Sequence, residues 1–538
     1  MPETPLLPEL SSSLESGEAA LQALLKSLAT GLADAPESWQ LEGFRLTRAF
    51  AQIHAARASL QAAGNLPQAA TLPLAFGGEV LQHLREVLPW LALQFPAASA
   101  SVARFVNDPK IQSLTRTLTS EAFYRSALER LPQIGSDASG LDEEYRLLRG
   151  TFRDFAERKV RPLAEAWHRE DLLIPDALIA QAAELGCFGL SIPAEFGGVR
   201  DEPDNLGMVV VTEELSRGAL IFGSLITRPE ILAKALLRGG TEAQKRRWLP
   251  RMASGEVMVG VAITEPDAGS DVARLKVTAQ PTPDGWRING TKVWSTFSGR
   301  ADLLMLLART EPEAARGHKG LSLFVLEKPA FHGHTFEHRQ EQGGTLTGRA
   351  ISTLGYRGMH SFELNFEDYR VPADGLVGGV EGRGRGFYLQ MESFSYGRLQ
   401  TAGRALGVMQ AALEQALSYA DARRVFGQPL SGFPLTAAKL VRMAATVHAC
   451  RMATYAAAHR LNQGAGQMEA SLVKLLACNH AEWITREAQQ IHGGMGYAEE
   501  FAVSRLFLDA RVLSIFEGTE EVLALKVVLP ALLRGGRE

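Results

Sequence analysis

The sequence predicts an α+β protein built from four successive blocks, three helical and one of strands. Apolar residues recur at helical spacing up to about Gly260 and again from Gly386 onward. Between those stretches, short apolar runs separated by turn residues read as strands. With 538 residues the chain is too long for a single hydrophobic core. The blocks are a helical N-terminal extension (1–138), a helical domain (139–258), an antiparallel β domain (259–379) and a C-terminal helical bundle (380–538).

In the extension, Leu21, Leu24, Leu25 and Leu28 share one helix face. A second helix is expected from Gln40 to Ala63, with Gly64-Asn65 as its stop, and a third around Glu79 to Leu93. The small, polar segment Ser136 to Gly140 marks a boundary. Beyond it, helices are expected from Pro175 to Gly186, Asn205 to Arg217 and Ala219 to Leu237, the last interrupted by Thr227-Arg228-Pro229. Six strands are expected: Val259–Thr264, Lys276–Gln280, Trp286–Trp294, Leu303–Arg309, Leu321–Glu327 and Phe362–Val371. Pro283-Asp284-Gly285 makes a hairpin turn between two of them. In the last block Leu406, Met409, Leu413 and Leu417 fall on one face, as helix-on-helix packing requires.

Hydrophobic residues make up 46% and charged residues 22%, the balance of a globular protein in water. The formal net charge of −4 gives no reason to expect nucleic acid or an anionic membrane as partner. Cys187, Cys450 and Cys478 are far apart and odd in number, which suggests neither a disulfide framework nor a metal centre. The first residues lack a basic region followed by an apolar core, and no run of about 18 apolar residues occurs, so a cytoplasmic protein is expected.

One carboxylate stands out. In Ser514-Ile515-Phe516-Glu517-Gly518-Thr519-Glu520-Glu521, Thr519 is a good N-cap, and Glu520 and Glu521 suit the first turn of the following helix. Glu517 lies outside that helix, so capping does not account for it. Held against Ile515 and Phe516, it would resist ionisation and make a usable general base. Gly382, Gly384 and Gly386 look superficially like a dinucleotide loop, but no strand precedes them in a βαβ unit, and the Rossmann reading is rejected.

Three further stretches carry chemistry. Ile263 to Asp271 ends a strand in a loop of small and hydroxyl residues, suited to a phosphate or a ring carbonyl. Asp421-Ala422-Arg423-Arg424-Val425-Phe426-Gly427 puts two cations beside an aromatic at a helix end. Gln489 to Tyr497 offers amides and close-approach glycines. Together with Ile515 to Thr519, these motifs resemble the acyl-CoA dehydrogenase family, in the right order and spacing over about residues 140–538.

That resemblance implies a helical domain, a β domain and a four-helix C-terminal bundle, with FAD bound non-covalently between the last two. It implies cofactor contacts from Thr264 and Ser270, from Trp294 and Thr296 (the threonine near flavin N5), from Arg423 and Phe426, from Gln490, Gly493 and Gly494, and from Thr519. In the family the dinucleotide is shared across subunits, so a homodimer or dimer of dimers is implied. Glu517 takes the part of the base that removes the α-proton of an acyl-CoA, with electrons passing on to an electron-transfer flavoprotein. Some members place the base on the helix carrying Ser395-Tyr396-Gly397-Arg398; here that position is Gly397, which cannot serve, while Arg398 beside it falls on the substrate side. The chain departs from the family pattern at Phe297-Ser298, commonly Asn-Gly, and at Glu521, often Gln.

The extension, and the stretches around Ser216 to Ile231, Leu354 to Phe366 and Gly384 to Ala412, look most like the methylsuccinyl-CoA dehydrogenase branch. Arg217 and Arg228 point the same way, since a buried cation needs a partner and a dicarboxylic thioester would bring one. The other reading pairs Arg217 with Glu213 or Glu214. Three alternatives stay open: a short- or branched-chain acyl-CoA dehydrogenase, a family enzyme that uses oxygen as acceptor, and a DNA-associated family member without metabolic activity.

Overall fold

A computed structural model describes residues 6–34, 38–65, 70–134, 140–311 and 317–535. The chain forms two compact units, one of residues 1–148 with 401–538 and one of residues 149–400. The boundary segment expected at 136–139 lies outside the described residues.

In the first unit the N-terminal helices Leu6–Asp34, Gln40–Asn65, Thr71–Gln94, Ser99–Asn107, Pro109–Leu118 and Glu121–Ile134 pack with the C-terminal helices. Leu21, Leu24, Leu25 and Leu28 are buried, as their spacing predicts. The helix Pro434–Asn462 is the hub of this unit, touching Gln40–Asn65, Thr71–Gln94 and Glu121–Ile134. Polar contacts pin the same junction: Arg442 pairs with Glu79 at 2.8 Å, and Tyr124 donates to that glutamate.

The second extension helix continues through Gly64 to Asn65, two residues past its expected end. It approaches the segment after Glu517 closely. A Cβ on Gly43 would lie 2.6 Å from Cδ2 of Leu529, so a larger residue there would push that methyl aside. One turn on, Arg48 donates to Asn479 Oδ1 at 2.9 Å, and the Asn479 amide donates to the Glu520 carboxylate at 3.3 Å.

The second unit contains helices Asp176–Glu184, Asn205–Gly218, Leu220–Gly223, Thr227–Gly239 and Glu242–Ala253. The single helix expected over 219–237 is two, separated by the turn at 224–226. Asp204 caps Asn205–Gly218 by accepting from Gly207 N at 2.8 Å, and Thr241 with Gln244 forms a capping box for Glu242–Ala253.

The strands are β1 (Val259–Ala262), β2 (Thr278–Thr282), β3 (Gly285–Thr296), β4 (Leu303–Arg309), β5 (Leu321–Glu327), β6 (Thr335–Arg339), β7 (Thr345–Ile351) and β8 (Ser361–Pro372). They form one sheet ordered β1-β4-β2-β3-β8-β7-β6, with β5 also on β4. Most pairs are antiparallel, as expected for this domain, while β1 and β2 both run parallel to β4. The hairpin β6–β7 was not anticipated. Its inward positions include His338 and Gly348 beside Phe336 and Leu346, which weakens the apolar alternation, and its turn carries Gly343 and Gly344 in the left-handed region. Trp248, Leu232, Met305 and Leu323 fill the core between helices and sheet.

Replacing Gly43 by Val should cost about 1–3 kcal/mol, because Leu529 must move to admit the side chain. Gly64→Ala, with nothing within 4 Å of its new methyl, should stabilise by about 0.5–1 kcal/mol. Urea unfolding of the two variants checks the contrast.

Candidate functional site

In the second unit, the loop after β1 is fixed by a buried ion pair. Lys292, with no solvent exposure, donates from Nζ to Glu265 Oε1 and to the Ile263 carbonyl, both at 2.8 Å. Glu265 also accepts from the backbone N–H groups of Lys276 and Val277, at 2.6 and 2.9 Å. Burial pushes the Lys292 amine down to about 8, with the carboxylate opposing that fall. Every acceptor of Glu265 that faces inward is thus used in holding the loop. Thr264 is half-buried there, and Ser270 at the loop's far end is exposed.

Two residues beyond Lys292 the strand twists. Trp294 is in the left-handed region (φ 57°) and leaves 57% of its surface exposed, while Thr296 is buried with its Oγ1 2.9 Å from Ser361 Oγ. An exposed indole beside a positioned hydroxyl is the expected edge of a ligand site. At the departure from the family pattern, Phe297 is buried, also with positive φ, and Ser298 shares a hydrogen bond with Ser295.

The substrate-side arginines differ in their partners. Arg217 is buried and bridges Glu214 at 3.1 Å and Glu157 at 2.5 Å, with Arg149 and Arg153 on the same Glu214. This is the intrachain pairing that the i−3 spacing offers. Arg228 is buried too, but it donates to the Ser224 carbonyl (2.7 Å) and the Tyr356 hydroxyl (3.0 Å), both neutral. Among the described residues it has no carboxylate partner. Arg398 and Gly397 are buried in the helix Gly386–Ala422.

In the first unit Glu517 sits at a tight turn with φ 55°, followed by Gly518 at 98°. Its carboxylate accepts from Thr401 Oγ1 and from Arg404 Nη2, each at 2.7 Å. Arg404 has no exposure at all, lies over the Phe516 ring at 4.7 Å and also donates to Thr401. Lys474, equally buried, donates to the Gly518 carbonyl at 2.7 Å. The apolar cage expected from Ile515 and Phe516 is therefore corrected. Ile515 is half-exposed, and the carboxylate is held by a hydroxyl and a guanidinium, a charge-assisted arrangement. Thr519 caps the next turn, accepting from Val522 N at 3.4 Å, with Glu520 and Glu521 in that turn as expected.

Sequence reasoning missed Thr401, Arg404 and Lys474. The usable signal was Arg404 itself, a lone charge inside the otherwise small and apolar run Thr401 to Met409. The remaining predicted residues of this unit line its surface. Arg423 is exposed, and Phe426, 96% exposed with φ 50°, occupies the tip of the two-stranded hairpin Arg424–Pro429. Gln490, Gly493 and Gly494 are exposed at the end of Gln467–His492, where a Cβ on either glycine would meet nothing.

Family profiles for the acyl-CoA dehydrogenase N-terminal, middle and C-terminal domains match residues 142–256, 260–369 and 384–529. The chain belongs to the acyl-CoA dehydrogenase family. It is 38% identical to (2S)-methylsuccinyl-CoA dehydrogenase of Cereibacter sphaeroides over 96% of this chain and 95% of that one. Against the human mitochondrial short-chain specific acyl-CoA dehydrogenase it is 34% identical over 74% of this chain and 92% of the relative. The structure of butyryl-CoA dehydrogenase from Megasphaera elsdenii superposes with a TM-score of 0.68 at 31% identity, covering 73% of this chain and 99% of that one. The protein is an oxidoreductase of this family with FAD as cofactor.

The residues present fit FAD. The loop after β1 offers backbone N–H groups and two hydroxyls, and Trp294 an exposed aromatic face. Glu265→Gln should leave Lys292 buried without a counter-charge and cost about 3–5 kcal/mol. Thermal unfolding, with FAD retention after gel filtration, checks this: both should fall together.

Proposed function

We propose that this enzyme oxidises (2S)-methylsuccinyl-CoA to mesaconyl-CoA, with Glu517 as the base. The single observation that carries the reading is Arg228, a buried cation whose hydrogen-bond partners are neutral. A thioester with a distal carboxylate supplies the missing charge. The alignment with the Cereibacter relative supports it, because it runs through the N-terminal extension as well as the family domains.

The chemistry assigned to the chain's own groups is as follows. Glu517 Oε takes the α-proton, and the electron pair of that C–H bond becomes the second bond between Cα and Cβ. The β C–H bond breaks with loss of hydride, for which bound FAD supplies the acceptor. Arg404 and Thr401 fix where the carboxylate points, so the proton is met at a set distance rather than by a mobile side chain. Thr264, Ser270, Trp294, Thr296 and Thr519 hold the cofactor in this reading. Arg398 lies on the substrate side. Arg423, Phe426, Gln490, Gly493 and Gly494 contact the dinucleotide across the interface of a homo-oligomer, which accounts for an almost fully exposed phenylalanine on a hairpin tip. An electron-transfer flavoprotein reoxidises the enzyme.

Two outcomes follow. Glu517→Gln keeps the size of the side chain and one acceptor oxygen for Arg404 but cannot accept a proton. Anaerobic bleaching of the flavin by methylsuccinyl-CoA should slow by about 10²–10⁴-fold, and undiminished bleaching would refute the base. For Arg228→Met, kcat/KM for methylsuccinyl-CoA should drop by an amount worth about 2–5 kcal/mol, with butyryl-CoA little affected. Equal losses for both thioesters would remove the case for a dicarboxylic substrate.

A further inference from the structure

Away from these residues, the second unit gathers two imidazoles and a carboxylate at one point. Asp171 follows the helix Arg161–Arg169, His334 precedes β6 and His360 precedes β8. Nε2 of His334 lies 3.0 Å from Nε2 of His360. Nε2 of His360 is 3.1 Å from Asp171 Oδ1, and Nε2 of His334 is 3.4 Å from Asp171 Oδ2. From these distances we propose that Asp171, His334 and His360 form a binding site for a divalent transition-metal ion of the zinc type.

The spacing is the first argument. An ion bound to imidazole nitrogen and carboxylate oxygen at about 2.0–2.1 Å requires donor atoms about 3.0–3.4 Å apart, between octahedral and tetrahedral angles. The separation of the two nitrogens and the shortest approach of each to the carboxylate, His360 to Oδ1 and His334 to Oδ2, fall in that interval, so the carboxylate meets both rings with its two oxygens. Hydrogen bonding alone serves the trio less well. Only one proton fits between two Nε2 atoms 3.0 Å apart, so at most one ring donates within the pair. A cation satisfies both nitrogens and the carboxylate together.

Backbone geometry is the second. Asp171 (φ 54°) and His360 (φ 47°) both occupy the left-handed region, which non-glycine residues enter at a cost of roughly 1–2 kcal/mol each. The donors therefore meet at a point that their local backbone does not favour. Two imidazoles and one carboxylate, with no thiolate, suit divalent iron, cobalt, nickel or zinc over calcium, magnesium or copper(I). The His360 side chain is buried, while those of His334 and Asp171 are 55% and 40% exposed, so solvent reaches the fourth position.

The site is tied to the flavin-side strand. The His360 carbonyl accepts from Phe297 N at 2.8 Å, and the next residue, Ser361, shares a hydrogen bond with Thr296. An ion at His360 would fix the strand that positions the Thr296 hydroxyl. That consequence rests on the cofactor role proposed for Thr296, whereas the metal site itself does not.

The test uses tag-free, FAD-loaded, full-length protein, treated with a chelator, desalted and dialysed against Zn²⁺. One equivalent should bind per chain and raise the melting temperature. His334→Ala and Asp171→Asn should each weaken binding roughly 100-fold or more and abolish the thermal shift while retaining the flavin spectrum. Binding of less than one equivalent by the wild type, or equal binding by wild type and both variants, overturns the proposal. Because the readouts are bound zinc and melting temperature, failure of the substrate assignment leaves this result unaffected.

Discussion

A guanidinium with no solvent exposure must have its charge matched, and Arg404 meets that requirement through Glu517. This pair joins the middle of a long helix to a loop more than a hundred residues later in the chain. Thr401, one turn before Arg404, completes the grip, and Lys474 from a third helix holds the next carbonyl. Glu517 itself sits in an unfavourable backbone region. Without these contacts the turn at 516–518 would have little to hold it, because the residues on either side are at most partly buried.

The N-terminal extension acts on the same loop from the other end. Its second helix brings Gly43 against Leu529 and, through Arg48 and Asn479, reaches Glu520, the residue after the Thr519 cap. The turn after that cap is π-helical over Leu523–Val528, a wider winding that is often found near functional sites. The extra helices are thus structural support for the segment carrying the candidate base. Deleting them would expose the leucine and alanine faces of Pro434–Asn462 and leave Arg442 and Asn479 without their extension partners.

Much of this was legible in the sequence, for reasons that can be named. Strands β4 and β5 have the expected bounds because both are unbroken apolar runs bordered by turns. The long helix starting at Gly386 and the cap at Thr519 were equally plain, since each is a local signal. The hairpin β6–β7 was lost because His338 and Gly348 stand at inward positions, so the apolar alternation is weak. The environment of Glu517 was misread for a different reason. Neighbours in sequence suggested an apolar cage, but the side chains that touch the carboxylate come from a helix over a hundred positions away, and local reading cannot see such contacts. The Asp171, His334 and His360 cluster is hidden in the same way, being drawn from three separate loops.

If Arg404 and Thr401 aim the Glu517 carboxylate at the substrate's α-proton, loosening that aim slows proton removal. The most direct test is the anaerobic rate of flavin reduction by α-protiated and α-deuterated methylsuccinyl-CoA, in wild type and in Arg404→Lys. Lysine keeps the positive charge but not the planar donor geometry, so the charge is still matched while the aim is lost. Reduction in Arg404→Lys is expected to be about 10–100-fold slower with a larger α-deuterium isotope effect, as misplacement makes proton removal more limiting. A rate within about twofold of wild type, with an unchanged isotope effect, would contradict that positioning.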